Sequence, residues 1–71
     1  MPLSPLRARE IVRKLQRGGF AFRRQRGSHA RYVHKDGRAV TVPVHPGDVP
    51  VPVIRSILRQ AILSEEEWEA L

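Results

Sequence analysis

Residues 29–44, HARYVHKDGRAVTVPV, decide the fold. Valines alternate at Val40, Val42 and Val44, the period-two pattern of a half-buried strand. The run His29–His34 reads as its antiparallel neighbour, and Lys35-Asp36-Gly37-Arg38 is a hairpin signal. Loop length then fixes which side chains share a face, because a one-residue slip reverses a strand. A two-residue loop at Asp36-Gly37 would pair His34 with Ala39 and set Arg31 on the face of Val42. Burying that arginine unpaired would be costly. A three-residue loop, Lys35-Asp36-Gly37 with Gly37 at positive φ, pairs His34 with Arg38 instead. Ala30 and Tyr32 then join the three valines on the buried face, while His29, Arg31, Val33, Thr41 and Pro43 face outward. Hydrophobic burial selects this register.

Working outward, Phe20-Ala21-Phe22-Arg23 alternates and opens a preceding strand, which Gly27-Ser28 ends as a turn. Phe20 and Phe22 are assigned to the helix-covered face, and Arg23 to the outward one with Ala21. Upstream, Ser4-Pro5 resembles a helix start, with Ala8, Ile11, Val12 and Leu15 as an apolar stripe and Gly18-Gly19 as the stop. The expected helix covers residues 5–17. Downstream, residues 45–52 read as a proline-stiffened loop. A second helix is expected near 53–62, with Ile54, Ile57, Leu58 and Ala61 inward. Ser64 and Glu67 form a capping box for a short last helix, whose Trp68 and Leu71 pin the tail. The fold class is therefore α+β, ordered α-β-β-β-α. It has a three-stranded antiparallel sheet with two helices on one face, and a short C-terminal helix.

Size and charge narrow the function. Seventy-one residues make one domain, 1–71, which buries only roughly 60% of its unfolded surface. Chemistry must sit on an open face. The absence of cysteine excludes disulfides, thiolate metal sites and thiol nucleophiles. The formal net charge is +6, with four of the seven acids in the last eight residues. Residues 1–63 carry 13 basic and three acidic side chains, a net of +10, and 11 of the 13 are arginine. Arginine's planar fork suits phosphate oxygens, so a polyanion is expected, nucleic acid first. No apolar run spans a bilayer and no signal-peptide core opens the chain, so a cytoplasmic location without membrane contact is expected.

Of three histidines, His34 has core-side parity, His29 points outward, and His45 lies beyond the third strand. His29 and His34 cannot share one ion without bending the strand, so neither a metal site nor another cofactor is expected. His29 suits acid–base work, since imidazole takes and returns protons near neutral pH. RNA brings its own nucleophile, the 2′-hydroxyl. Gly27 would let the backbone approach a phosphate, Ser28 could bond its oxygen, and Arg23, Arg31 and Lys35 could hold neighbouring phosphates. The same residues would also serve a non-catalytic RNA-binding module, or a subunit whose basic surface holds an acidic protein.

The ordered set Gly19-Phe20, Gly27-Ser28-His29, Asp36-Gly37, Val42-Pro43-Val44-His45 and Ile54-Arg55-Ser56-Ile57-Leu58-Arg59-Gln60-Ala61 resembles the HicA toxins of bacterial toxin–antitoxin pairs. The likeness covers roughly residues 4–63. It implies a fold like that of double-stranded-RNA-binding domains and translation-independent cleavage of messenger RNA, and with no metal site expected the activity reads as that of a metal-independent endoribonuclease. It implies that His29 is the catalytic histidine, and that a HicB antitoxin covers the active face. Two departures stand out. Val51-Pro52-Val53 replaces a stretch that often carries threonine or serine. Ile62 replaces a frequent glycine, which suggests that the second helix runs further.

Overall fold

The computed structural model describes residues 3–71. Its centre is the hairpin of β3 (His29–His34) and β4 (Ala39–Pro43), closed by Lys35-Asp36-Gly37. Ala30 pairs with Val42, Arg31 with Thr41 and Tyr32 with Val40, and Gly37 has φ +102°. The backbone N–H of His34 donates to Arg38 O at 2.8 Å, which closes the expected three-residue loop. Arg38 fixes this loop to the body. Its guanidinium donates to both Asp36 carboxylate oxygens and to Ala61 O at 2.7 Å, and it lies 5.1 Å from the Phe20 ring centre. The side-chain hydrogen bond from Arg38 holds the Asp36 carboxyl down to about 2, so it stays charged across the neutral range.

β2 (Phe20–Arg26) joins β3 through Gly27-Ser28 and completes an antiparallel sheet of order β2-β3-β4. Gly27 has φ +56°, the glycine-first sign pattern of a type II′ hairpin turn. One face of the sheet is covered by α1 (Ala8–Arg17) and α2 (Val51–Ala61), while the other is open. The core comprises Ile11 and Leu15 of α1, the buried sheet residues Phe20, Ala30, Tyr32, Val40 and Val42, and Ile54, Ile57, Leu58 and Ala61 of α2. Val49 and Trp68 complete it, and no polar or charged residue among those described is buried. The expected burial of Phe22 and Val44 is corrected. Phe22 pairs with Tyr32, so its parity is right, but it stands on an edge strand and is 56% exposed, and Val44, one residue past the end of β4, is exposed too.

The first helix is shorter than expected. It starts at Ala8 with Arg7 as N-cap, whose N–H donates to Glu10 Oε1 at 3.1 Å. Leu6-Arg7 forms a two-residue strand, β1, antiparallel to β5 (Asp48–Val49) inside the segment read as a loop. The reason is geometric. Continued backwards at 100° per residue, a helix would turn Leu6 to solvent; extended, it packs on the core beside Val49. α2 begins at Val51, two residues early, because Pro52 in the first turn forfeits an N–H that has no helical partner there.

α2 does not run past Ala61. Ile62 takes φ +55°, ψ +49°, and Leu63 N–H donates to Leu58 O at 3.0 Å, a Schellman closure built on a β-branched residue. That left-handed position costs a residue bearing Cβ about 1 kcal/mol, and Ile62 is 74% exposed, so its side chain contributes little burial in return. Ile62→Gly should therefore raise stability by about 1 kcal/mol and the thermal midpoint by roughly 5 °C. A circular-dichroism melt showing no rise would contradict this account of the cap. Beyond it, α3 (Glu65–Glu69) carries the expected capping box: Ser64 N–H donates to Glu67 Oε1 at 2.8 Å, and Glu67 N–H to Ser64 Oγ at 3.0 Å. These bonds hold the Glu67 carboxyl below its usual range.

Candidate functional site

The open sheet face gathers cations because of one irregularity in β2. Phe22 pairs with Tyr32, but Arg24, not Arg23, pairs with Arg31. Arg23 is the extra residue of a β-bulge, and beyond it the strand's faces are exchanged. Arg24 and Arg26 thus come to the face of His29 and Arg31, with Arg26 directly opposite His29 and Pro43 on its other side. Arg24, Arg26, His29, Arg31 and Thr41 line one shallow depression of about 150 Å³. His29 and the three arginines are exposed, and no acidic side chain borders the depression.

None of these arginines makes an ion pair among the described residues, and of the histidine rings only those of His34 and His45 make hydrogen bonds there. Directly opposed like charges, as in Arg24 and Arg31, cost a sheet roughly 0.2–1 kcal/mol. A bound anion would remove that cost. An imidazole free at both nitrogens can exchange protons with a ligand, and the guanidinium groups can stabilise a phosphodiester and any further charge developing on it.

The sequence-predicted residues divide into two groups. His29 and Arg31 lie in the depression. Gly27 and Ser28 form the turn at its end, where no atom lies within 4 Å of a Cβ built on Gly27. Ser28 is exposed, and its carbonyl accepts the Val44 N–H at 2.6 Å. Arg23 and Lys35 line a separate depression of about 350 Å³ with Ala21 and Val33, at the far end of the same face. Lys35 is six residues from His29, about 20 Å along the strand. Arg23 and Arg31, both expected on the outward face, fall in different depressions, because the bulge sets Arg24 opposite Arg31. Sequence reasoning missed Arg24 and Arg26 as site residues.

The other histidines are occupied elsewhere. His34 stacks edge-on against Phe20 with ring centres 5.2 Å apart, and its Nδ1 accepts the Asp36 N–H at 3.1 Å. His45 lines a groove with Arg7 and Arg9 near the start of α1. Among the described residues no group of three His, Cys, Asp or Glu is placed to hold a metal ion. No described helix is long and apolar enough to cross a membrane.

Comparison with curated proteins gave no match. The family described as the HicA toxin of bacterial toxin-antitoxin matches residues 8–63, from the first residue of α1 to the residue that closes the Schellman cap after α2. That span holds the whole sheet, both covering helices and every residue of the basic depression, and the chain belongs to the HicA toxin family.

Proposed function

We propose that this toxin is a metal-independent endoribonuclease, a single domain over residues 1–71 that cleaves messenger RNA in the cytoplasm with His29 as its acid–base group. The observation that carries the reading is an uncovered imidazole set among Arg24, Arg26 and Arg31, with no acid beside it. A phosphodiester seated there would place its ribose 2′-hydroxyl against His29. The imidazole takes the hydroxyl proton as the 2′-oxygen attacks phosphorus. It returns a proton to the departing 5′-oxygen as that bond breaks, leaving a 2′,3′-cyclic phosphate and a 5′-hydroxyl. The arginines stabilise the charge that builds on the phosphoryl oxygens. Gly27 and Ser28 border the phosphate, and Arg23 and Lys35 hold the strand further along β3. A HicB-type antitoxin, the partner that the family implies, would silence the toxin by covering this same face.

RNA binding should be strongly salt-dependent, because each phosphate contact on a single strand contributes roughly 0.7 to the log–log slope. Arg24→Thr and Arg31→Thr should each flatten that slope by about this amount. Each should also raise the thermal midpoint, since the opposed arginine pair is relieved. An anisotropy titration with affinity flat between low and physiological salt would contradict the reading.

A further inference from the structure

A second cationic groove lies on the helix side of the sheet. It has a volume of about 380 Å³ and runs between α1 and the sheet, where Arg9, Arg13 and Gln16 face Gln25 across a floor that includes Tyr32 and Val44. Positions 9, 13 and 16 follow i, i+4, i+7 spacing, which sets their side chains in one row. Neither Arg9 nor Arg13 makes an ion pair among the described residues, and no acid lines the groove. At Arg9 it meets a smaller groove that ends on Arg7 and His45. Two acids at that end both contact Arg7: Asp48 lies 3.9 Å from its guanidinium, and Glu10 accepts the Arg7 N–H.

The bulge in β2 connects this groove to the His29 face. Beyond Arg23, Arg24 and Arg26 point to the open face, while Gln25 between them points into the groove. Only the outer edge of β2 separates the two surfaces. A chain with regularly spaced negative charges that crosses this edge meets cations on both sides. Folded protein partners do not supply such regular spacing, whereas a sugar–phosphate backbone does.

We propose that Arg9 and Arg13, with Gln16 and Gln25, form a second binding site for the RNA backbone, which holds the segment flanking the one at His29. The proposal rests on the open face being an RNA site. It makes RNA length a determinant of affinity, because only a strand that crosses the β2 edge engages both surfaces.

The test compares wild type with the Arg9→Ala/Arg13→Ala double variant on single-stranded RNAs of about four and about twelve nucleotides. A second pair, Arg55→Ala/Arg59→Ala, removes equal charge from exposed positions on α2. The α1 pair should weaken binding of the longer RNA at least tenfold and flatten its salt slope by about 1.4. The shorter RNA should be bound as by wild type, and Arg9→Lys/Arg13→Lys should restore most of the loss. The α2 pair should change little. Unchanged affinity of the α1 pair for the longer RNA, or an equal loss in both pairs, would overturn the second site while leaving the open-face reading intact. Wild type that binds neither RNA would overturn both.

Discussion

Replacing His29 with alanine should lower RNA cleavage by about 10²–10⁴-fold, the usual worth of a positioned acid or base. The protein should remain folded, because an exposed strand residue without a side-chain partner costs within about 0.5 kcal/mol to replace. RNA affinity should stay close to wild type, since on the proposed reading it comes from guanidinium–phosphate contacts that the substitution leaves in place. The other two histidines serve as controls. His34→Ala removes a ring packed on Phe20 and bonded at the hairpin loop, so it should lower stability more than turnover. His45→Ala changes a residue beside Arg7 and Arg9 and should leave chemistry at bound RNA unchanged. Single-turnover cleavage with saturating protein separates these effects. A His29 variant that folds, binds and cleaves at the wild-type rate would reduce the site to a non-catalytic RNA-binding surface.

The second large effect concerns Trp68. Its side chain is 1% exposed, and Lys14 fastens the turn that carries it, donating to Trp68 O at 3.0 Å with its ammonium 5.2 Å from the ring centre. This anchor lies beyond the matched residues 8–63, yet it closes the same core. Trp68→Ala should cost about 3–5 kcal/mol. For a chain of this length that is a large fraction of the roughly 4–10 kcal/mol available. The thermal midpoint should fall by about 15–30 °C. A loss below about 1 kcal/mol would show that the tail packs on a core complete without it.

The hairpin was legible because burial and loop chemistry agreed on one register: only one loop length sets Ala30 and Tyr32 on the valine face and frees Arg31. The histidine's exposure followed from it. The two-residue strands β1 and β5 were not legible, since neither is long enough to show alternation, and Ser4-Pro5 offered a helix start that tertiary packing of Leu6 overrode. The end of α2 at Ile62 was hidden because a β-branched residue seldom accepts a left-handed conformation. The arginines around His29 were half legible. Counting back from the Gly27-Ser28 turn puts Arg26 and Arg24 on the face of His29. Counting forward from Phe20 and Phe22 puts Arg24 on the opposite face. The two counts disagree by one residue, and that disagreement is the bulge at Arg23. Apolar periodicity alone could not show it, because residues 23–28 contain no apolar side chain to phase the strand.

On the proposed mechanism, this face cleaves RNA by using the substrate's own 2′-hydroxyl. The decisive experiment gives purified wild-type protein an end-labelled RNA and its fully 2′-O-methylated counterpart, then reads the product ends. The RNA should be cut, with 2′,3′-cyclic phosphate and 5′-hydroxyl ends, and the methylated strand should be bound but left whole. Cleavage of both strands at equal rates, or no cleavage of either while both are bound, would contradict that mechanism.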